Sequence, residues 1–507
     1  MGHIITFMIR FALEFTMDDT DTKALDVLVI GAGFSGICCG IKLLEKGTSN
    51  FRIVEKSPGI GGTWWDNTYP GAACDVPSHL YCYSFEPNPN WSRIYSPGRE
   101  IQQYAEHCVD KYGVRPYIEH GREVVGLRLD QAAGIWTAVF GDGGELQAHH
   151  VINGGGGLHQ PSWPDIPGRD EFTGISMHTA RWNHDVDYAG KNIAVIGSAA
   201  SAIQVVPEVA KTAASVTIFQ RTPNYIAPRN DRDFTKTEKL LFTRLPWLGR
   251  LYRWFIFMRL ELVLFPITRQ GSWYGRRAAK RIMRYARKTV DDKSLHEHLK
   301  PDYALGCKRI LVSDDLYKTL NRDNVDMVTT AIEGIEKSGI RTRDGVLREV
   351  DILVYATGYD IEAHMRSINV VGVAGRHLQE EWTSGPEAFN GCCMSGYPNY
   401  YMVTGPNTGV GTTSVVFMIE QEVGYILQLI EKAGRNQLMS VRPETQAAYN
   451  ADIHAALSGS VWASGCKSWY RRPDGKITTL YPNNAREFRR QLQYVNMDDF
   501  EVNGVRK

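Results

Sequence analysis

Two turns of the kind that seat dinucleotides divide this chain, GAGFSG at Gly31–Gly36 and GSAASA at Gly197–Ala202, with FTGISMHTARWN between them. Each turn follows an apolar run and precedes a helical pattern, so each reads as the opening of a βαβ unit. The expected fold is therefore α/β, with two Rossmann-like dinucleotide-binding domains. Two bound dinucleotides in one protein are most economically used to pass a hydride from one to the other. At 507 residues the chain is long enough for two or three cores.

In the first unit, ALDVLVIGAGFSGICCGIKLLEKGTSNFRIVEK gives a buried strand, the turn, a helix ending near Gly47 and a second strand finishing at Glu55. Gly31 permits the tight turn, Gly33 close approach of a pyrophosphate, and Gly36 close packing of a helix whose first amides face the phosphates. Glu55 is placed to accept a hydrogen bond from a ribose hydroxyl, which a 2′-phosphate would prevent. The second unit has strand NIAVIG, a helix through Val209 and strand SVTIFQ just before Arg221. Only Gly197 survives there, because Ala199 and Ala202 replace the other two glycines, and alone this loop reads equally as an ordinary turn. Arg221 stands where an NAD site carries an acid; its guanidinium can pair with a 2′-phosphate, and Thr222 can add a hydroxyl. The two sites thus read as FAD in the first domain and NADPH in the second.

The chain divides as a leader (1–24), a first FAD-binding part (25–158), an NADPH-binding domain (159–360) with a helical insertion at about 233–300, and a second FAD-binding part (361–507) that ends in a substrate and nicotinamide loop. The leader MGHIITFMIRFALEFT is broken by Arg10 and Glu14 and lacks a cleavage site. Three β-rich runs between Val124 and Asn153 form a meander, GGGGLHQPSWPDIPG is a domain crossing, and ATGYD is the return. Strands are expected near 325–329 and 352–355, and a strong helix over about 413–433. A net charge of +1 excludes general attraction to nucleic acid. Nine cysteines without CxxC spacing indicate free thiols in a reducing, cytoplasmic setting rather than disulfides or zinc, and no spacing suggests any other metal. LLFTRLPWLGRLYRWFIFMRLELVLFPI is too often charged to span a membrane. It reads as a helical cover over the substrate entrance, with shallow interfacial contact as the other reading.

Phe172, Gly174, His178 and Trp182 fall in the register FxGxxxHxxxW. With that fingerprint the chain resembles the class B flavoprotein monooxygenases and, through Trp182, the Baeyer-Villiger monooxygenases; Asn183 departs from the Pro or Asp usual there. The similarity runs from about Leu25 to Phe488 and includes GGTWWDNTYPGAACD, GCKRI at Gly306–Ile310, YATGYD, TGPNTGVG and KSWY. It implies that Arg309 lies beside the flavin and stabilises an anionic flavin peroxide, with Asp75 orienting that arginine. It implies too that Lys308 helps hold the NADPH phosphate and that Trp469 rides on a mobile loop over the nicotinamide. Thr63, Trp64, Tyr81, Ser198, Ser201 and Gln204 are the remaining expected cofactor contacts. His178 is read as a neutral link between backbones, not as a base.

The implied reaction inserts one oxygen atom of O2 beside a ketone carbonyl to give an ester or lactone. The alternative is oxygenation of sulfur or nitrogen by the same machinery. A flavin disulfide reductase would need a CxxC or CxxxxC pair that is absent here. The aromatic segment around Trp254 and Phe255 points to a bulky, apolar ketone.

Overall fold

The computed structural model describes residues 24–504, so the leader, Ala24 apart, lies outside the described residues. Strand Leu25–Ile30 pairs in parallel with Phe51–Glu55 on one side and Glu145–Asn153 on the other. Val27, Leu28 and Val29 are all fully buried, which is why this strand reads as a continuous apolar run rather than an alternating one. The runs of the expected meander become antiparallel strands Val124–Asp130, Ile135–Phe140 and Glu145–Asn153 of the same sheet. Two strands from far along the chain, Asn369–Val371 and Tyr400–Met402, also join it. Helix Val415–Ala433 packs against helix Phe34–Glu45, which leads out of the first turn.

The second sheet has five parallel strands in the order Val325–Val328, Ser215–Phe219, Asn192–Ile196, Ile352–Tyr355 and Ile175–His178. Helix Ala202–Val209 packs over its central strands. Beside it lies a three-stranded antiparallel piece, Ile332–Glu336, Gly339–Thr342 and Leu347–Glu349. Asp344-Gly345 turns its last hairpin, with Gly345 at φ 81°, and this dipeptide is the local signal that the sequence reading passed over.

The helical insertion comprises Lys236–Arg244, Pro246–Val263 and Trp273–Thr289. Thr235 and Glu238 form a reciprocal capping box at the first helix, and Pro246 occupies the first turn of the second. The Arg253 guanidinium docks the second helix by donating to the carbonyl oxygens of His79, Leu80 and Cys82 at 3.0, 3.1 and 2.9 Å. Glu261 accepts from the Ala485 amide at 3.3 Å. Trp254 and Phe255 were expected to report on a substrate pocket, but both are exposed. The helical period turns Tyr252, Ile256 and Leu260 toward the core instead, and these aromatic rings face outward. Among the described residues no helix is long and apolar enough to cross a membrane.

Candidate active site

The first turn is built as a close-packed seat. Gly31 has φ 93° and donates its N–H to the Val54 carbonyl at 2.8 Å. A Cβ on Gly36 would lie 1.8 Å from the Gly31 carbonyl oxygen, so no other residue fits there without moving the backbone. Gly33 is less confined: its Cβ would meet nothing nearer than the Gly62 Cα at 3.5 Å. The Glu55 carboxylate accepts from the Ala32 amide at 2.7 Å and the Ser57 amide at 2.8 Å. It thus braces the turn and still has lone pairs for a ribose hydroxyl.

At the second turn Gly197 has φ 117°, and its Cβ would lie 2.4 Å from the Ala356 carbonyl oxygen. Ala202 is the first residue of the helix and is packed in the second core. The Ser198 hydroxyl donates to the Thr222 carbonyl at 3.3 Å, and the Asn224 amide donates to the Ser198 carbonyl at 3.1 Å. Ser201 approaches the phenols of Tyr69 and Tyr359. Two cations converge beside this loop. Burial and the neighbouring Arg221 charge both push the Lys308 ammonium below its usual range, and Asp302 offsets only part of that. Two neighbouring positive groups raise the local positive potential and favour an anion there.

The Gln204 side chain, an expected cofactor contact, also makes hydrogen bonds within the protein. Its oxygen accepts from the Tyr69 hydroxyl at 2.8 Å and its amide nitrogen donates to the Ala73 carbonyl at 2.9 Å. It therefore ties the helix of the second turn to the segment that carries Asp75.

Asp75 and Arg309 are paired side-on, with Nε and Nη2 of the guanidinium each 2.7 Å from a different carboxylate oxygen. Burial would raise the Asp75 carboxyl, but the charge and hydrogen bonds of Arg309 outweigh it and hold the group below the usual carboxylate range. Arg309 is correspondingly fixed as a cation by Asp75. Around the pair stand Trp64, whose indole N–H donates to the Tyr81 hydroxyl at 3.1 Å, and Tyr81, whose phenol is raised mainly by burial. Thr63 opens the short helix Thr63–Asp66, and its carbonyl accepts from Asn67 at 2.8 Å. Arg229, absent from the sequence expectations, donates to the Cys74 carbonyl at 2.8 Å and adds a second positive charge near Asp75.

Cys307, next to Lys308, is joined by a disulfide to Cys466, with Cα atoms 6.3 Å apart. The expectation of free thiols throughout is corrected here, although the other seven cysteines are free and buried. The bond fastens the Trp469 loop to the Arg309 segment. Trp469 is half exposed and packs at a tilt against Tyr470, which is buried beside Arg309. His178 is fully buried, its Nδ1 accepts from the Ala180 amide at 3.0 Å, and burial lowers it to about 4. It is neutral near pH 7, as a structural imidazole should be.

A Baeyer-Villiger monooxygenase of Streptomyces coelicolor is 38% identical to this chain over 482 residues, covering 94% of this chain and 92% of its own length. Another from Pseudomonas aeruginosa is 38% identical over 469 residues, covering 91% and 88%. This chain belongs to the Baeyer-Villiger monooxygenase family. A family model described as pyridine nucleotide-disulphide oxidoreductase matches residues 28–236, the stretch that holds both turns. A closed crystal structure of cyclohexanone monooxygenase superposes with a TM-score of 0.87 at 28% identity, covering 96% of this chain and 100% of its own. An oxidized steroid monooxygenase bound to NADP gives 0.84 at 30% identity, covering 95% and 99%. Of the residues that sequence reasoning missed in this family member, Tyr470 lay inside the quoted KSWY block, whereas Arg229 sits in a PRNDRD stretch with no local signature.

Proposed function

We propose that this protein is an NADPH- and FAD-dependent Baeyer-Villiger monooxygenase that inserts one oxygen atom of O2 beside a ketone carbonyl, giving an ester or lactone. The observation that carries the proposal is the Asp75–Arg309 pair, a guanidinium fixed in place on the segment next to Lys308 and tied to the Trp469 loop. The first turn fits FAD because its packed glycine cradle and the Glu55 carboxylate match a pyrophosphate followed by an unphosphorylated ribose. The second fits NADPH because Arg221 and Lys308 converge where a 2′-phosphate would be received.

FAD, when bound and reduced by NADPH, supplies the oxygen chemistry. The protein's own part is electrostatic. Asp75 holds the guanidinium in one orientation and keeps it charged, so that negative charge developing on oxygen is met by a cation that need not reorganise. Such a preorganised group contributes about 3 kcal/mol to lowering a barrier. Tyr470 is buried beside this cation, and the Cys307–Cys466 bond keeps the segment that carries it close by. The long separation of those cysteines, 159 residues, also argues against the tight redox pair of a disulfide reductase.

The test is turnover of a ketone and of a thioether, each with NADPH and isotopically labelled O2. The proposal expects an ester or lactone bearing one labelled atom. Labelled sulfoxide with no ester from any ketone would assign the protein to heteroatom oxygenation instead.

A further inference from the structure

We propose that the outer face of helix Pro246–Val263 docks on the surface of a membrane containing anionic phospholipid. This helix has two apolar faces, where an ordinary surface helix has one. The inner face, with Tyr252, Ile256 and Leu260, packs on the core of the first sheet. The outer face presents Trp247, Leu251, Trp254, Phe255 and Leu262, each more than half exposed. At 100° per residue these five positions fall within a sector of about 100°, an unbroken stripe along the helix. Arg250 and Arg259, both exposed, bound the stripe on either side. Trp and Phe in an apolar stripe rimmed by arginines are the composition of helices that lie in the lipid headgroup boundary, where the rings bury and the guanidiniums meet phosphate.

Charge selects the occupant. Residues 236–288 carry fourteen lysines and arginines against only Glu238 and Glu261, in a chain whose net charge is +1. Neither acid faces outward unpaired: Glu238 binds Arg232 and caps the first helix, and Glu261 is buried against the Ala485 amide. A second copy of this chain would bring an equally cationic face against the first, so self-association through this stripe is opposed. A negatively charged lipid surface matches both the apolar stripe and the arginines that bound it. The helix lies on the bilayer and does not cross it, in keeping with the charges that interrupt it.

The experiment is flotation of the full-length, FAD-loaded protein with phosphatidylcholine vesicles, with and without phosphatidylglycerol, at low and high salt. The expected result is recovery with the phosphatidylglycerol vesicles at low salt, a blue shift of tryptophan emission, and release by salt. Arg250→Gln with Arg259→Gln should weaken partitioning roughly tenfold or more. Trp247→Ser with Trp254→Ser and Phe255→Ser should abolish it while flavin content and NADPH consumption stay as in the wild type. The proposal is overturned if the wild type fails to float at low salt or if the triple variant floats equally. It is also overturned if the wild type is a dimer that the triple variant converts to monomer while neither floats, since the stripe would then be a self-association surface.

Discussion

At the first turn a methyl group on Gly36 would collide with the Gly31 carbonyl, whereas at the second turn the equivalent position is Ala202, whose methyl is buried comfortably in the core. The assigned helices start two motif positions apart. The first begins at Phe34, inside the motif, and its third glycine must pass directly over the turn; the second begins only at Ala202, the last motif residue. The backbone is already helical at Ser201, with φ −72°, and the Ile203 amide bonds the Ala199 carbonyl at 3.0 Å just as Ile37 bonds Gly33, yet the second turn leaves room for the Ala202 methyl. The charges differ in the same way, with a braced carboxylate at one seat and two mutually repelling cations at the other. A glycine count is therefore a poor measure of a phosphate turn unless it is read with the packing at its third position and the charge at the end of the following strand.

Gly36→Ala should have the largest effect. The added carbon must displace backbone, and flavin retention, read from visible absorbance per protein, should fall roughly a hundredfold. Undiminished flavin would show that the first turn is as tolerant as the second.

Two buried groups should also respond to pH in opposite directions. In helix Val415–Ala433, packed on the first seat's helix, Glu422 is fully buried, and burial raises its carboxyl to about 8 despite the Thr404 amide that donates to it at 3.0 Å. It is protonated in the fold but ionised in the unfolded chain above about pH 4.3, so stability falls as pH rises from there to about 8, by on the order of a few kcal/mol. Glu422→Gln should remove that slope from melting temperatures recorded across this range. In the second half His178, lowered to about 4, acts the other way, and stability is lost as pH falls from about 6.5 toward 4.

Arg221→Ala should raise the KM for NADPH roughly tenfold to a hundredfold, as expected for loss of a charge-assisted hydrogen bond, and change that for NADH far less. Equal shifts for both coenzymes would remove Arg221 from the 2′-phosphate. Ala202→Gly should do least. It costs about 1 kcal/mol of stability through the helix, seen as a small drop in Tm, and leaves NADPH affinity unchanged.

Both turns, the strands beside them and the helix that ends at Ala433 were legible because each is set by local period and by glycines at fixed offsets. The nearness of Asp75 to Arg309 came from motif blocks, since nothing local relates residues so far apart in sequence. What escaped was tertiary in origin. Cys307 and Cys466 meet only because the last part of the chain returns over the second domain. The Gln204 amide meets Tyr69 and Ala73, a tertiary contact that no local pattern shows. Trp254 and Phe255 were visible as aromatic residues, but which side of their helix faces the core depends on what packs there.

The most direct test of the central claim is to compare Arg309→Ala with the wild type for ester formed per NADPH consumed. The variant is expected to keep its flavin and still oxidise NADPH, but to form ester a hundredfold or more slowly, about 3 kcal/mol in barrier. Ester yield equal to that of the wild type would contradict it, and would leave the Asp75–Arg309 pair a structural ion pair without a part in the reaction.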